Sequence, residues 1–324
     1  MMNKTISVLG CGRWGSFHAW HADHIGCDAL LWGRPGSKRL TQLKAERKNE
    51  YLTLPESVRL SDSLTDALEH ANVVIIAVGA QGFRPLCREI AALPRPLWET
   101  KTFVLCMKGL ELNSGKRLSR VFREELGDAP GVAVWVGPGH VQDFYAGIPN
   151  CMLLASEDES LPPRLSALLE SPLIRFYYAS DLLGVEIGAA AKNVVGLAAG
   201  MLDGLNLPSL KGALMARGAA ELARLVGAMG GESMTIYGLS HLGDYEATLF
   251  SQHSNNRRFG ENLVRGLPSE KLAEGVSTAD ALLILGAKYH VELPITQAVH
   301  DVIQEQANPH EALLQLFLRK QKSE

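Results

Sequence analysis

TISVLGCGRWG, residues 5–15, is a short β-rich run that breaks into a glycine turn of the form GxGxxG, and residues 16–24 continue with helical spacing. Strand, glycine turn and helix in that order are the setting in which this motif holds a dinucleotide. Gly10 permits the tight turn, Gly12 lets backbone approach a pyrophosphate, and Gly15 permits close packing of helix on strand. The helix N-terminus then faces the phosphate charge. Bare, the motif is weak, because glycines cluster in many turns. Its place at the first strand of a chain that goes on alternating β and α patterns gives it weight.

The alternation runs outward from there. The second strand, residues 29–32, ends at Gly33-Arg34, where a NAD-selective site commonly places an acidic residue for the ribose hydroxyls. An arginine suits a 2′-phosphate instead, which favours NADPH while leaving NADP or NAD as the cofactor; the alternative is that Arg34 stacks on adenine. Further strands are predicted at 73–78, 102–107, 132–136, 151–155 and 174–178, the first of them continuous apolar runs as in parallel strands covered on both faces. Helical patterns at 41–48, 63–69 and 115–126 lie between them. The fold class is therefore α/β: an N-terminal Rossmann-type doubly wound sheet over residues 1–180, then an all-α C-terminal domain over residues 181–324. That second part carries helical patterns at 184–205, 210–229, 258–263, 278–288, 295–305 and 310–320, and the basic residues at 319–322 read as a solvated end.

A chain of 324 residues is too long for one ordinary core and fits two domains of about 150 residues each. With a net charge of −3 it has no basic excess, so nothing calls for nucleic acid or an anionic membrane, and any anionic partner must be met by local sites. Cys11, Cys27, Cys87, Cys106 and Cys151 form an odd set without a CxxC pair, which favours reduced thiols in a cytoplasmic protein over disulfides or zinc. The N-terminus runs straight into a strand without a signal-peptide pattern, and the longest apolar run, residues 187–202, is interrupted by Lys192 and too short to span a bilayer. A soluble protein without membrane insertion is expected. His18, His21 and His24 recur every three residues, but nothing completes a metal set, and they read as surface or helix-end histidines with no metal site.

GVEIGAAAKNVVGLAAGMLDGL, residues 184–205, sets Lys192 inside an apolar, small-residue helix. A lysine there either snorkels its head to water or, if buried, pairs with a carboxylate and becomes a usable acid. With this stretch in view, the chain resembles NAD(P)-dependent glycerol-3-phosphate dehydrogenases over nearly its whole length. The matching motifs, in order, are LGCGRWGS, MKGLE at 107–111, VGPG at 136–139, the Lys192 helix, GLSHLGD at 238–244 and NRRFGENL at 256–263, with AEGVSTAD and ELPI beyond.

The resemblance implies reversible reduction of dihydroxyacetone phosphate to sn-glycerol 3-phosphate, a small-molecule reaction feeding glycerophospholipid synthesis, by a cytoplasmic homodimer. It makes Lys192 the general acid, which stabilises and protonates the carbonyl oxygen as charge builds there. Lys108 becomes the second lysine, touching cofactor and substrate. Asp244 supplies the carboxylate beside Lys192, an N-cap role being its alternative, and Asn193 and Thr248 add polar contacts. Gly10, Gly12, Arg13, Trp14, Gly15, Arg34, Val141, Asn255 and Glu274 fall to the cofactor. Gly137, Gly139, Ser254, Asn256 and Arg257 fall to the substrate. The chain departs from the family pattern at Asn255, where an arginine is usual, at Gly139 after Gly-Pro, and at Tyr245, where leucine is usual. Other readings are a reductase of a different small, phosphorylated or polyol-related carbonyl compound, or a non-catalytic nucleotide sensor.

Overall fold

The computed structural model describes residues 4–269 and 273–318; the basic tail read as a solvated end lies outside them. The chain divides into two compact units, one of residues 1–108 and 118–182, the other of residues 109–117 and 183–324. A single cut near residue 180 does not separate them, because the segment 109–117 packs with the later helices. Leu110 lies in their core and Arg117 Nη1 meets Glu186 Oε2 at 2.8 Å.

The first unit is built on one eight-stranded sheet: β1 (Thr5–Leu9), β2 (Asp28–Trp32), β3 (Arg59–Ser61), β4 (Val73–Ile76), β5 (Thr102–Leu105), β6 (Gly131–Val136), β7 (Asn150–Ala155) and β8 (Ile174–Ala179). Its order is β3-β2-β1-β4-β5-β6-β7-β8. β3 to β6 pair in parallel. Their central members are buried on both faces because helices cover each side, and apolar runs are what such strands need. Those helices are α1 (Arg13–His24), α2 (Lys38–Glu46), α3 (Leu64–His70), α4 (Phe83–Ala91), α5 (Leu118–Leu126), α6 (Val141–Tyr145) and α7 (Leu161–Leu169). The order reverses between β1 and β4, and a ligand of a doubly wound sheet sits at the carboxyl ends of the strands flanking such a point.

Two features depart from the sequence reading. β7 returns antiparallel to β6, because the link holds only the five-residue α6 and a parallel crossover needs a longer one. His18 and His21 are not surface residues; each is 1% exposed. They share the inner face of α1 with Phe17 and Ala22, and the His18 ring lies 4.4 Å from that of Trp135 on β6. Only His24, in the last turn, meets solvent.

The second unit is helical: α8 (Leu182–Gly204), α9 (Lys211–Ala228), α10 (Asn255–Val264), α11 (Glu274–Tyr289), α12 (Pro294–Gln304) and α13 (Pro309–Phe317), with a π-helical turn at Glu246–Phe250. α8 is apolar all round, and such a helix must be buried in a core or a bilayer. Here it is the core: 94% of its most apolar window is buried inside the protein. α10 crosses it at near backbone contact, since a Cβ on Gly200 would lie 1.9 Å from Arg257 O and one on Gly260 would lie 2.1 Å from Leu197 O. That approach places the first turn of α10 beside the middle of α8.

Candidate active site

In the first unit the glycine turn has the geometry of an anion cradle. Gly10 sits at φ +116°, open to L side chains only with strain, and a Cβ there would lie 2.4 Å from Ala77 O on the neighbouring strand end. A Cβ on Gly15 would overlap Gly10 O at 1.6 Å, so helix and turn pack as closely as backbone allows. Gly12 begins α1 without a side-chain cap, leaving the helix N-terminus to an anion. The atom nearest to its missing Cβ is Arg39 Nη1 at 3.4 Å, a cation from α2 that the sequence reading did not select. These groups fit a pyrophosphate.

The same unit holds Arg13, Trp14, Arg34, Lys108 and Val141, the other residues there assigned to the cofactor. Arg13 lies over the Tyr51 ring at 4.8 Å. Arg34 leaves the end of β2 exposed, with Nη2 3.5 Å from Gly82 O beyond β4, so its charge reaches across the strands flanking β1. Trp14 stacks on His18 at 5.7 Å, and Lys108 Nζ lies 5.7 Å from the Trp14 ring while donating to Gly137 O at 2.7 Å. Trp14, Lys108 and Gly137 thus converge past the ends of β1, β5 and β6. Gly139 also needs positive φ, +127°, and a Cβ there would strike the Phe144 ring. Val141 is fully buried with its side chain in the core, which leaves only its backbone to meet a ligand.

In the second unit Lys192 is 6% exposed, so it does not snorkel. Its Nζ lies 2.5 Å from Asp244 Oδ2 and donates to Thr248 Oγ1 at 2.8 Å. Thr248 donates in turn to Asp244 O at 2.7 Å. Thr248 lies in the π-helical turn Glu246–Phe250, a distortion that recurs at functional sites, and its hydroxyl back-bonds to the carbonyl four residues earlier while facing the lysine. Asp244 is 1% exposed with its carboxylate on the lysine. Removing either partner would strand a buried charge.

Asn193, next on α8, accepts from Asn256 Nδ2 at 3.0 Å, and Asn256 Oδ1 accepts from Gly275 N at 3.0 Å. Asn193 and Asn256 therefore lie together, with Glu274 at the start of α11 beside Gly275. Ser254 is spent as the N-cap of α10, its Oγ accepting from Arg257 N at 3.3 Å. Asn255 Oδ1 accepts from Arg258 Nη2 at 3.1 Å. Arg257 belongs to a separate ion cluster: Nη1 meets Asp203 Oδ2 at 2.6 Å and Glu261 Oε2 at 3.0 Å, and Lys211 Nζ shares Asp203 at 2.7 Å. The sequence reading missed Asp203 and Glu261, although the spacing of four residues between Arg257 and Glu261 on a helix signalled that pair.

Comparison with known proteins places this geometry in context. The model of the NAD-dependent glycerol-3-phosphate dehydrogenase N-terminus matches residues 5–161, and that of the C-terminus matches residues 181–314. A glycerol-3-phosphate dehydrogenase [NAD(P)+] of Thermus thermophilus is 38% identical, over 98% of this chain and 99% of the relative. The same enzyme of Fusobacterium nucleatum is 35% identical over 98% of each chain. The crystal structure of glycerol-3-phosphate dehydrogenase from Coxiella burnetii superposes with a TM-score of 0.90 at 30% identity, covering 98% of this chain and 99% of the other.

Proposed function

The chain belongs to the NAD-dependent glycerol-3-phosphate dehydrogenase family, and from that premise we propose how its residues divide the work. It is an oxidoreductase that interconverts dihydroxyacetone phosphate and sn-glycerol 3-phosphate with NAD or NADP. When bound, the nicotinamide supplies or takes the hydride. Proton transfer and substrate orientation fall to side chains.

The observation that carries the assignment is the buried Lys192–Asp244–Thr248 cluster. As the ketone carbon is reduced, negative charge gathers on its oxygen. A lysine held charged by Asp244 and aimed by Thr248 stabilises that oxygen and gives it a proton, and in the reverse direction takes the proton from the hydroxyl. Asn193 and Asn256 orient the substrate's polar end. Arg257 serves the phosphate through Nη2, which makes no hydrogen bond among the described residues, its Nη1 and Nε being engaged by Asp203, Glu261 and Ser251 O. Lys192→Ala should lower kcat for NADPH oxidation with dihydroxyacetone phosphate by at least about a hundredfold and leave NADPH affinity nearly unchanged. Full turnover in that variant would remove Lys192 from the mechanism.

NADPH is the favoured nucleotide in this reading, because an exposed guanidinium stands at the end of β2 where a carboxylate would select NAD. Titration should show tighter binding of NADPH than NADH, reversed or erased in Arg34→Asp, and equal affinities in the unaltered protein would contradict it. A homodimer in the cytoplasm completes the proposal. The location is supported by five free cysteines, four of them buried, and light scattering tests the dimer.

A further inference from the structure

His241 and Tyr245 flank Asp244 and are both fully buried. His241 Nδ1 lies 2.8 Å from Gly188 O and its Nε2 lies 2.6 Å from Tyr245 Oη. A carbonyl can only accept, so Nδ1 carries the proton. Neutral Nε2 is then an acceptor and takes the Tyr245 O–H. The tautomer is fixed by its two partners. Gly188 stands four residues before Lys192, and its carbonyl is the one that the Lys192 backbone N–H takes in an α-helix. The imidazole rests directly on that turn: a Cβ on Gly188 would lie 3.1 Å from His241 Cβ. On the far side, a Cβ on Gly218 of α9 would lie 3.2 Å from Tyr245 Oη, so the phenol is wedged between α8 and α9.

We propose that Tyr245 and His241 form a positioning relay that ties the Asp244 segment to the turn of α8 bearing Lys192, and thereby fixes where the proton donor sits. Neither residue touches substrate. The phenol orients the imidazole, the imidazole holds the helix carbonyl, and Asp244, anchored on both sides, cannot drift from the ammonium 2.5 Å away. The inference rests on Lys192 as the acid. The two ideas fail separately: an active Lys192→Ala would dismiss the acid, whereas the relay is read from coupling between residues 241 and 245.

The test is a double-mutant cycle in the whole enzyme with NADPH and dihydroxyacetone phosphate, joined to ¹⁵N NMR of the imidazoles. Tyr245→Phe, which removes one oxygen, should lower kcat about tenfold or more, since a displacement of ~1 Å costs up to about a hundredfold. The KM for NADPH should not change. His241→Ala should cost at least as much, and Tyr245→Phe in that background nothing further, because the phenol acts through the imidazole. His241→Asn, whose Nδ2 can donate to Gly188 O, should restore part of the loss. The imidazole should show the Nδ1-protonated tautomer near neutral pH, with the Nε2 resonance displaced in Tyr245→Phe. Multiplicative losses, a fall in melting temperature with kcat intact, or an Nε2-protonated tautomer would each overturn the relay. Tyr245→Phe decides the matter even if His241→Ala does not fold.

Discussion

Asn255 stands at the first position of α10, where its Oδ1 receives a bond from Arg258 Nη2 at 3.1 Å. An arginine in its place would forfeit that exposed bond and put a cation at a helix N-terminus, each costing about 1 kcal/mol or less. Against this, a guanidinium free to meet a phosphate adds charge-assisted bonds of about 1.5–3 kcal/mol. The gain exceeds the cost where function is read, in substrate binding. Asn255→Arg should therefore lower the KM for dihydroxyacetone phosphate about tenfold or more, with at most a small drop in melting temperature. An unchanged or higher KM would mean that no substrate phosphate reaches this position. Lys192 and Asp244 were legible from sequence because their chemistry needs those residue types in a recognisable frame. The contact of Thr248 with Lys192 was less so, since it joins residues 56 apart in the chain that only tertiary packing brings together. The ion cluster around Asp203 was hidden for the same reason: it joins residues 203, 211 and 257.

At the scale of elements, legibility followed apolar content. β1, β4 and β5 were readable because central parallel strands must be apolar on both faces. β3 has three residues, none buried, so its pairing with β2 left no pattern. α7 begins with Leu161-Pro162-Pro163, which reads as a break although proline is tolerated in a first turn. α12 starts on Pro294 and is capped from a distance. The buried Glu221 of α9 accepts from Ile295 N at 2.8 Å, Thr296 N at 3.1 Å and Thr296 Oγ1 at 2.8 Å. That carboxylate joins α9 to α12 and satisfies donors the helix cannot satisfy itself. Glu221→Ala leaves them buried and unpaired, at about 1–3 kcal/mol for each group. Glu221→Gln keeps one accepting oxygen and should fall between the two. Urea midpoints should rank wild type, Gln, then Ala, and an Ala variant as stable as wild type would show that water or a rearranged helix end replaces the cap.

Across the whole molecule the buried histidines couple stability to pH. Burial pulls His18 down to about 3, with the neighbouring His21 adding to the effect. Burial also lowers His21, against the Leu169 carbonyl that its ring meets. His241 is drawn down to about 4 by burial, with the Lys192 ammonium deepening the depression and the Gly188 carbonyl and Asp244 opposing it. Each of these folded-state values lies below the unfolded one near 6.5. Above pH 6.5 all three are neutral in both states and cost nothing. Below it the unfolded chain takes protons that the folded chain refuses, so stability falls as pH falls, by about 1.4 kcal/mol per pH unit for His18 and for His241, with His21 acting in the same direction. The loss continues to about pH 4 for His241 and about pH 3 for His18. Glu221 works in the opposite sense. Burial raises its carboxyl, so it binds a proton more readily folded than unfolded and gives back some stability in acid. Between pH 7 and pH 5 the histidines should remove several kcal/mol from a total of about 5–15, and the urea midpoint should drop clearly over that interval. His18→Phe isolates one contribution, because neither His18 ring nitrogen has a hydrogen-bond partner and a phenyl ring suits its place between Trp14 and Trp135. That variant should be no less stable than wild type at pH 7 and about 2 kcal/mol more stable relative to it at pH 5. Parallel pH profiles for the two proteins would show that His18 takes its proton equally well folded and unfolded.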